Sequence, residues 1–134
     1  MSHFRSRLRW ASVVQDVSAA NPGLSGITRK LLSVPQGVRV QADISVVSFS
    51  TNGSPGLGAI YVSDLLQDDI AASVSNLTFS VYNNGLTVGQ SFATGAPTSV
   101  MTDTLQQIRT RCSVSAADVS LIIVTHGWTD LRGR

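Results

Sequence analysis

The sequence contains no glutamate, one lysine (Lys30) and one cysteine (Cys112), and each scarcity removes a class of protein. Glutamate and lysine populate solvated helix faces, so a chain that does without them points away from surface helices and toward an all-β body. A lone cysteine cannot close an intrachain disulfide, which sets aside the disulfide-stapled scaffolds and fits a reducing compartment. Charged residues make up 13% of the chain, about half the usual share of roughly 25%. No run of about 18 apolar residues occurs, so no membrane-spanning helix is expected. The basic start, MSHFRSRLRW, is followed by the apolar ASVV, but Gln15 and Asp16 interrupt it well short of a signal-peptide core of about 7 to 15 residues.

What is present suits one domain of 134 residues with a 43% hydrophobic content, enough to form a single core. The formal net charge is +2, and its placement matters more than its size: without Arg5, Arg7 and Arg9 the remainder is close to neutral. Residues 1–37 read as an N-terminal arm, with turn signals at Asn21-Pro22-Gly23 and Pro35-Gln36-Gly37. Between them Leu24, Ile27, Leu31 and Leu32 are spaced for a short amphipathic turn. Arg5, Arg7 and Arg9 recur every second residue and so share one side of an extended segment, with Phe4, Leu8 and Trp10 as apolar anchors.

Residues 38–128 read as a β-sandwich domain. Val38, Val40, Ala42, Ile44 and Val46 alternate with Arg39, Gln41, Asp43 and Ser45, the pattern of a strand with one buried face. A turn-rich loop, Asn52 to Gly58, precedes a short strand at Ile60-Tyr61-Val62. Asn83-Asn84-Gly85 between β-rich runs predicts a hairpin. A strand around Gln90 to Ala93 is expected to end at Gly95-Ala96-Pro97. Another begins at Ile108, with Arg109 and Arg111 on its outer face, and a fully buried strand spans Val119 to Val124. His126-Gly127-Trp128 closes the body, and residues 129–134 form a polar tail. Seven or eight short strands separated by turns predict an all-β fold, a single sandwich and specifically a jelly roll.

Catalytic vocabulary is sparse. There is no phosphate-binding glycine loop and no His-x-x-x-His or Cys-x-x-Cys pair. A Cys112/His126 nucleophile pair is conceivable but carries no local signature, and Asp64, Asp68 and Asp69 lack the spacing of a calcium loop. No catalytic residue, metal site or cofactor is therefore expected, and the chain is not read as an enzyme. Trp10, Tyr61, Tyr82 and Trp128 are candidate stacking or anchoring aromatics. The leading contact residues are Arg5, Arg7, Arg9 and Trp10, which either clasp a neighbouring subunit or meet nucleic-acid phosphates.

Gly58-Ala59-Ile60-Tyr61-Val62-Ser63-Asp64, the Thr87-Val88-Gly89-Gln90 step and the closing Ser120-Leu121-Ile122-Ile123-Val124-Thr125-His126-Gly127-Trp128 resemble the small jelly-roll vertex proteins of tailless, membrane-containing icosahedral phages. The resemblance extends over about residues 38–128. It implies a penton: five copies fill each fivefold vertex of the virion beside a separate major capsid protein, and can seat a spike protein. On that basis the expected function is a self-associating capsid subunit, a vertex or minor capsid component, made in the host cytoplasm and located in the virion. Two other readings stand beside it: a β-sandwich module that binds a receptor or glycan, and a coat protein whose arginine-rich arm binds nucleic acid.

Overall fold

The computed structural model describes residues 6–50, 59–72, 79–80, 92–113, 115 and 119–132. All eight elements among them are strands: β1 (Ser6–Ala20), β2 (Ile27–Lys30), β3 (Gln41–Ser50), β4 (Ala59–Ser63), β5 (Phe79–Ser80), β6 (Phe92–Met101), β7 (Gln107–Cys112) and β8 (Val119–Asp130). They form two four-stranded sheets, β1-β8-β3-β6 and β2-β7-β4-β5, with every pairing antiparallel. The pairing is nested: first strand with last, second with seventh, third with sixth, fourth with fifth. Pairing of β3 with β8 and of β4 with β7 then closes each set into a sheet.

The period-two patterns explain the sandwich. Ala42, Ile44 and Val46 of β3 and Leu121 and Ile123 of β8 are buried, as are Ile108 and Cys112 of β7 and Ile60 and Val62 of β4. Cross-strand register lines these up: Val17, Ile123, Val46 and Ala96 form one row across all four strands of the first sheet. Such rows are the units that stabilise a sheet, and here they supply one wall of the core. Leu31, Val34 and Val40, from the connection between β2 and β3, belong to the same cluster.

Three fully buried threonines each have a hydrogen-bond partner. Thr102 Oγ1 donates to the Val40 carbonyl at 3.3 Å, Thr110 Oγ1 accepts from Arg29 Nε at 3.0 Å, and Thr125 Oγ1 donates to Asp16 Oδ2 at 2.6 Å. Satisfied in this way, they specify the packing without the penalty of an orphaned polar group.

The arm expected over residues 1–37 is not what residues 6–37 form. Ser6 to Ala20 pair with β8 as an edge strand, β2 joins the second sheet, and Val17, Leu31 and Val34 are core residues. The reason the sequence reads otherwise is that β1 breaks its own period twice, with register shifts between Arg9 and Val14 and between Gln15 and Val17. Asp16, the extra residue of the second bulge, accepts from the Ser33 amide at 3.2 Å and from the hydroxyls of Ser33 and Thr125, tying β1 to β8 and to the β2–β3 connection. The amphipathic turn expected at Leu24–Leu32 is likewise replaced by β2, with Leu31 buried and Leu24 and Leu32 exposed.

Two further boundaries move. β6 runs straight through Gly95-Ala96-Pro97, which is possible because β6 is an edge strand and the missing Pro97 N–H breaks no second ladder. β8 continues to Asp130, into the expected polar tail, and it buries only one face, since Ile122 and Val124 alternate with buried neighbours and remain half-exposed. The predicted strands at Ile60–Val62 and from Ile108 are present as β4 and β7. The Asn52–Gly58 loop, the Asn83-Asn84-Gly85 turn and Tyr82 lie outside the described residues.

Candidate contact surface on the first sheet

At His126 the central strand β8 slips past both of its neighbours. On the β1 side Arg9 pairs with Gly127 and Val14 with Thr125; on the β3 side Asp43 pairs with Gly127 and Ile44 with Thr125. His126 is thus the extra residue on the β3 ladder, whereas on the β1 ladder it stands alone opposite the four residues 10–13 of β1, and a bulge of this kind turns a side chain out of its regular row. Gly127 makes the distortion possible, because a Cβ there would run into the Leu8 carbonyl where β1 crosses close above. Any other residue at 127 would push β1 away.

The bulge opens a cleft of about 310 Å³ on the outer side of the first sheet, lined by Arg7, Arg9, Asp43, Thr98, Ser99 and His126 among others. His126 Nε2 and Ser45 Oγ share a hydrogen bond of 2.6 Å, which pins the imidazole to β3. Asp43 Oδ1 accepts from Ser99 Oγ at 3.2 Å, while its buried Oδ2 has no hydrogen-bond partner and lies 3.8 Å from Arg7 Nε. That separation gives an electrostatic contact but not a hydrogen bond. Arg9 is exposed and has no ion-pair partner among the described residues.

Of the sequence-predicted contact residues, Arg7 and Arg9 do share one side of an extended segment, and that segment is β1 of the sheet. Trp10 sits in the wide bulge that follows, 38% exposed; Arg5 lies outside the described residues. Asp43, Ser45 and His126 are not among the contact residues that the sequence suggests. The alternation of β3 already puts Asp43 and Ser45 on the outer face, but only the bulge brings His126 to them, and the sequence marks it with nothing more than Gly127.

The other candidates are dispersed. Cys112 points into the core from β7, whereas His126 faces outward from the other sheet, so the two do not form a nucleophile pair. Burial pushes the Cys112 thiol up to about 11, with nearby Arg29 acting weakly in the opposite sense, and burial lowers Arg29 from its ordinary value. Asp64, Asp68 and Asp69 do not converge: Asp64 pairs with Arg39 and caps the turn at Leu66, while Asp69 lies 3.3 Å from Arg111 and against Gly26. Tyr61 is half-buried on the outer side of β4, opposite Arg111, and Trp128 packs at the edge of the core.

Among the described residues no helix is long and apolar enough to cross a membrane. Comparison with protein-family models, curated proteins and solved structures finds no match.

Proposed function

We propose that this chain is a virion structural protein, a self-associating capsid subunit of the vertex (penton) or minor-component kind, built as a jelly roll. The observation that carries the reading is the nested pairing of eight strands into β1-β8-β3-β6 and β2-β7-β4-β5. Rolling one long hairpin in this manner gives two Greek keys in two sheets, the arrangement used by viral capsid and lectin domains among others. Fold alone does not choose between those uses. The choice of a capsid role rests on the surface: with 13% charged residues the chain has little to desolvate on contact, and the outer face of the first sheet carries half-exposed Val47, Phe49, Ile122 and Val124 in addition to the cleft.

The test is the native mass of the protein in solution together with its presence in purified particles. A closed ring, five copies for a vertex, located in the particle supports the proposal. A protein that stays monomeric at high concentration and is missing from particles overturns it.

A further inference from the structure

We infer that the molecule carries both halves of a head-to-tail contact between its own copies: the Arg9 edge of β1 on one copy meets the Leu66–Ile70 segment of the next. This rests on the self-association proposed above and names the surfaces that would perform it. The first half lies on the edge of the first sheet. There Arg9 is exposed without an ion-pair partner among the described residues, and Arg7 approaches Asp43 at 3.8 Å. Beside them stand Trp10 and Val13, exposed by 38% and 55% in the bulge of β1.

The second half lies across the other sheet. Arg109 Nη1 donates to the Gln67 carbonyl at 2.9 Å and Arg111 Nη1 to Asp69 Oδ1 at 3.3 Å, and both arginines alternate with the buried residues of β7, so the segment sits on the outer side of the second sheet. It presents Leu66, 76% exposed, and Ile70, 40% exposed, on either side of Asp68, an exposed carboxylate with no cation partner among the described residues.

The two halves match in kind. Each is an unpaired charge flanked by large apolar side chains, the Arg9 cation on one and the Asp68 anion on the other. In a protein this poor in charge, opposite charges set among apolar contacts would fix which surfaces meet. The halves occupy opposite faces of the sandwich, so one chain cannot satisfy both itself. A contact between two different patches leaves one of each open on every pair of copies and is completed only in a ring or a filament.

The test is a charge exchange read by native mass spectrometry on the full-length chain. Arg9→Asp and Asp68→Arg each alter an exposed residue, and thermal melting checks that both variants fold. Each alone is expected to weaken the oligomer by about tenfold or more, and the double variant to recover most of that loss because the pair is restored in reverse. Trp10→Ala should weaken assembly without any recovery by Asp68→Arg. If the wild-type protein forms a ring and the folded single variants assemble equally well, or if the double variant is no better than the singles, this contact is wrong while the capsid-subunit reading stands. A monomeric wild-type protein absent from particles removes both.

Discussion

Among the described residues, the first sheet is assembled from strands of 10 to 15 residues and leaves its outer face partly open, whereas the second is assembled from strands of two to six residues and has residues 65–72 laid over part of its outer face. The difference is also chemical. Outward positions of the first sheet include Val47, Ile122 and Val124, while those of β2 and β7 include Lys30, Arg109 and Arg111. A sheet of long strands makes many cross-strand pairs despite its bulges, and is held by them without cover on its outer side. A short one gains from cover, and here the outward arginines provide it by binding the backbone and side chain of a crossing segment.

The largest expected effect tests whether the two sheets are equally rigid. Ile123 and Ile108 are both fully buried, one at the centre of each sheet. Truncation of a core isoleucine to alanine costs about 2–5 kcal/mol, and the cost is highest where the surroundings cannot relax into the space. Ile123→Ala, ringed by the long rows of Val17 and Val46, is expected near the top of that range, and Ile108→Ala near the bottom. Urea unfolding of the two variants measures this directly. Equal losses would mean that strand length does not set the rigidity of either sheet.

How much of this was legible beforehand divides along the same line. The alternation of Val40, Ala42, Ile44 and Val46 and that of Ile108, Thr110 and Cys112 is unbroken, so β3 and β7 could be placed from residue types alone. β1 could not, because its bulges at residues 10–13 and at Asp16 shift the phase twice and leave polar and apolar residues in no simple order. β2 is only four residues long, too short to establish a period. The cleft was hidden for a related reason: its residues come from β1, β8, β3 and β6, and the bulge that gathers them is a property of the assembled ladders. Register is a long-range quantity, and local pattern reports it only where the strand is regular.

An intermediate effect concerns the inward side of the second sheet. The Cys112 thiol, raised to about 11 in the folded protein against an ordinary value of 9.0, holds its proton more tightly than the unfolded chain does. Its contribution is therefore complete below about pH 9 and is lost as pH rises through the folded value. The slope approaches 1.4 kcal/mol per pH unit for a single group within that window. Unfolding midpoints of the wild type and of Cys112→Ala, followed from pH 8 to 10.5, should converge with rising pH as the wild type alone loses this term. Parallel profiles would show that the thiol is not buried as described. At pH 8 the same burial should keep Cys112 unreactive toward thiol reagents until the protein is unfolded.

The smallest effect on stability sharpens the comparison most, because it separates cover from core. Arg111 Nε donates to the Leu24 carbonyl at 2.9 Å and its Nη1 reaches Asp69 at 3.3 Å, so one side chain fastens both the approach to β2 and the segment after β4. Asp69 is substantially exposed, and exposed ion pairs contribute at most about 1 kcal/mol. Arg111→Gln should accordingly leave the melting temperature within a few degrees of wild type. The segment it restrains should still open more often, since it loses one of the ties that hold it to the sheet, the Arg109 bond to Gln67 and the Asp64 cap on Leu66 being among those left. Amide hydrogen exchange is expected to speed up in residues 65–72 and to stay unchanged in β3 and β8. If exchange rises equally in both sheets, the crossing segment is part of the cooperative core and the second sheet is no more dependent on its cover than the first.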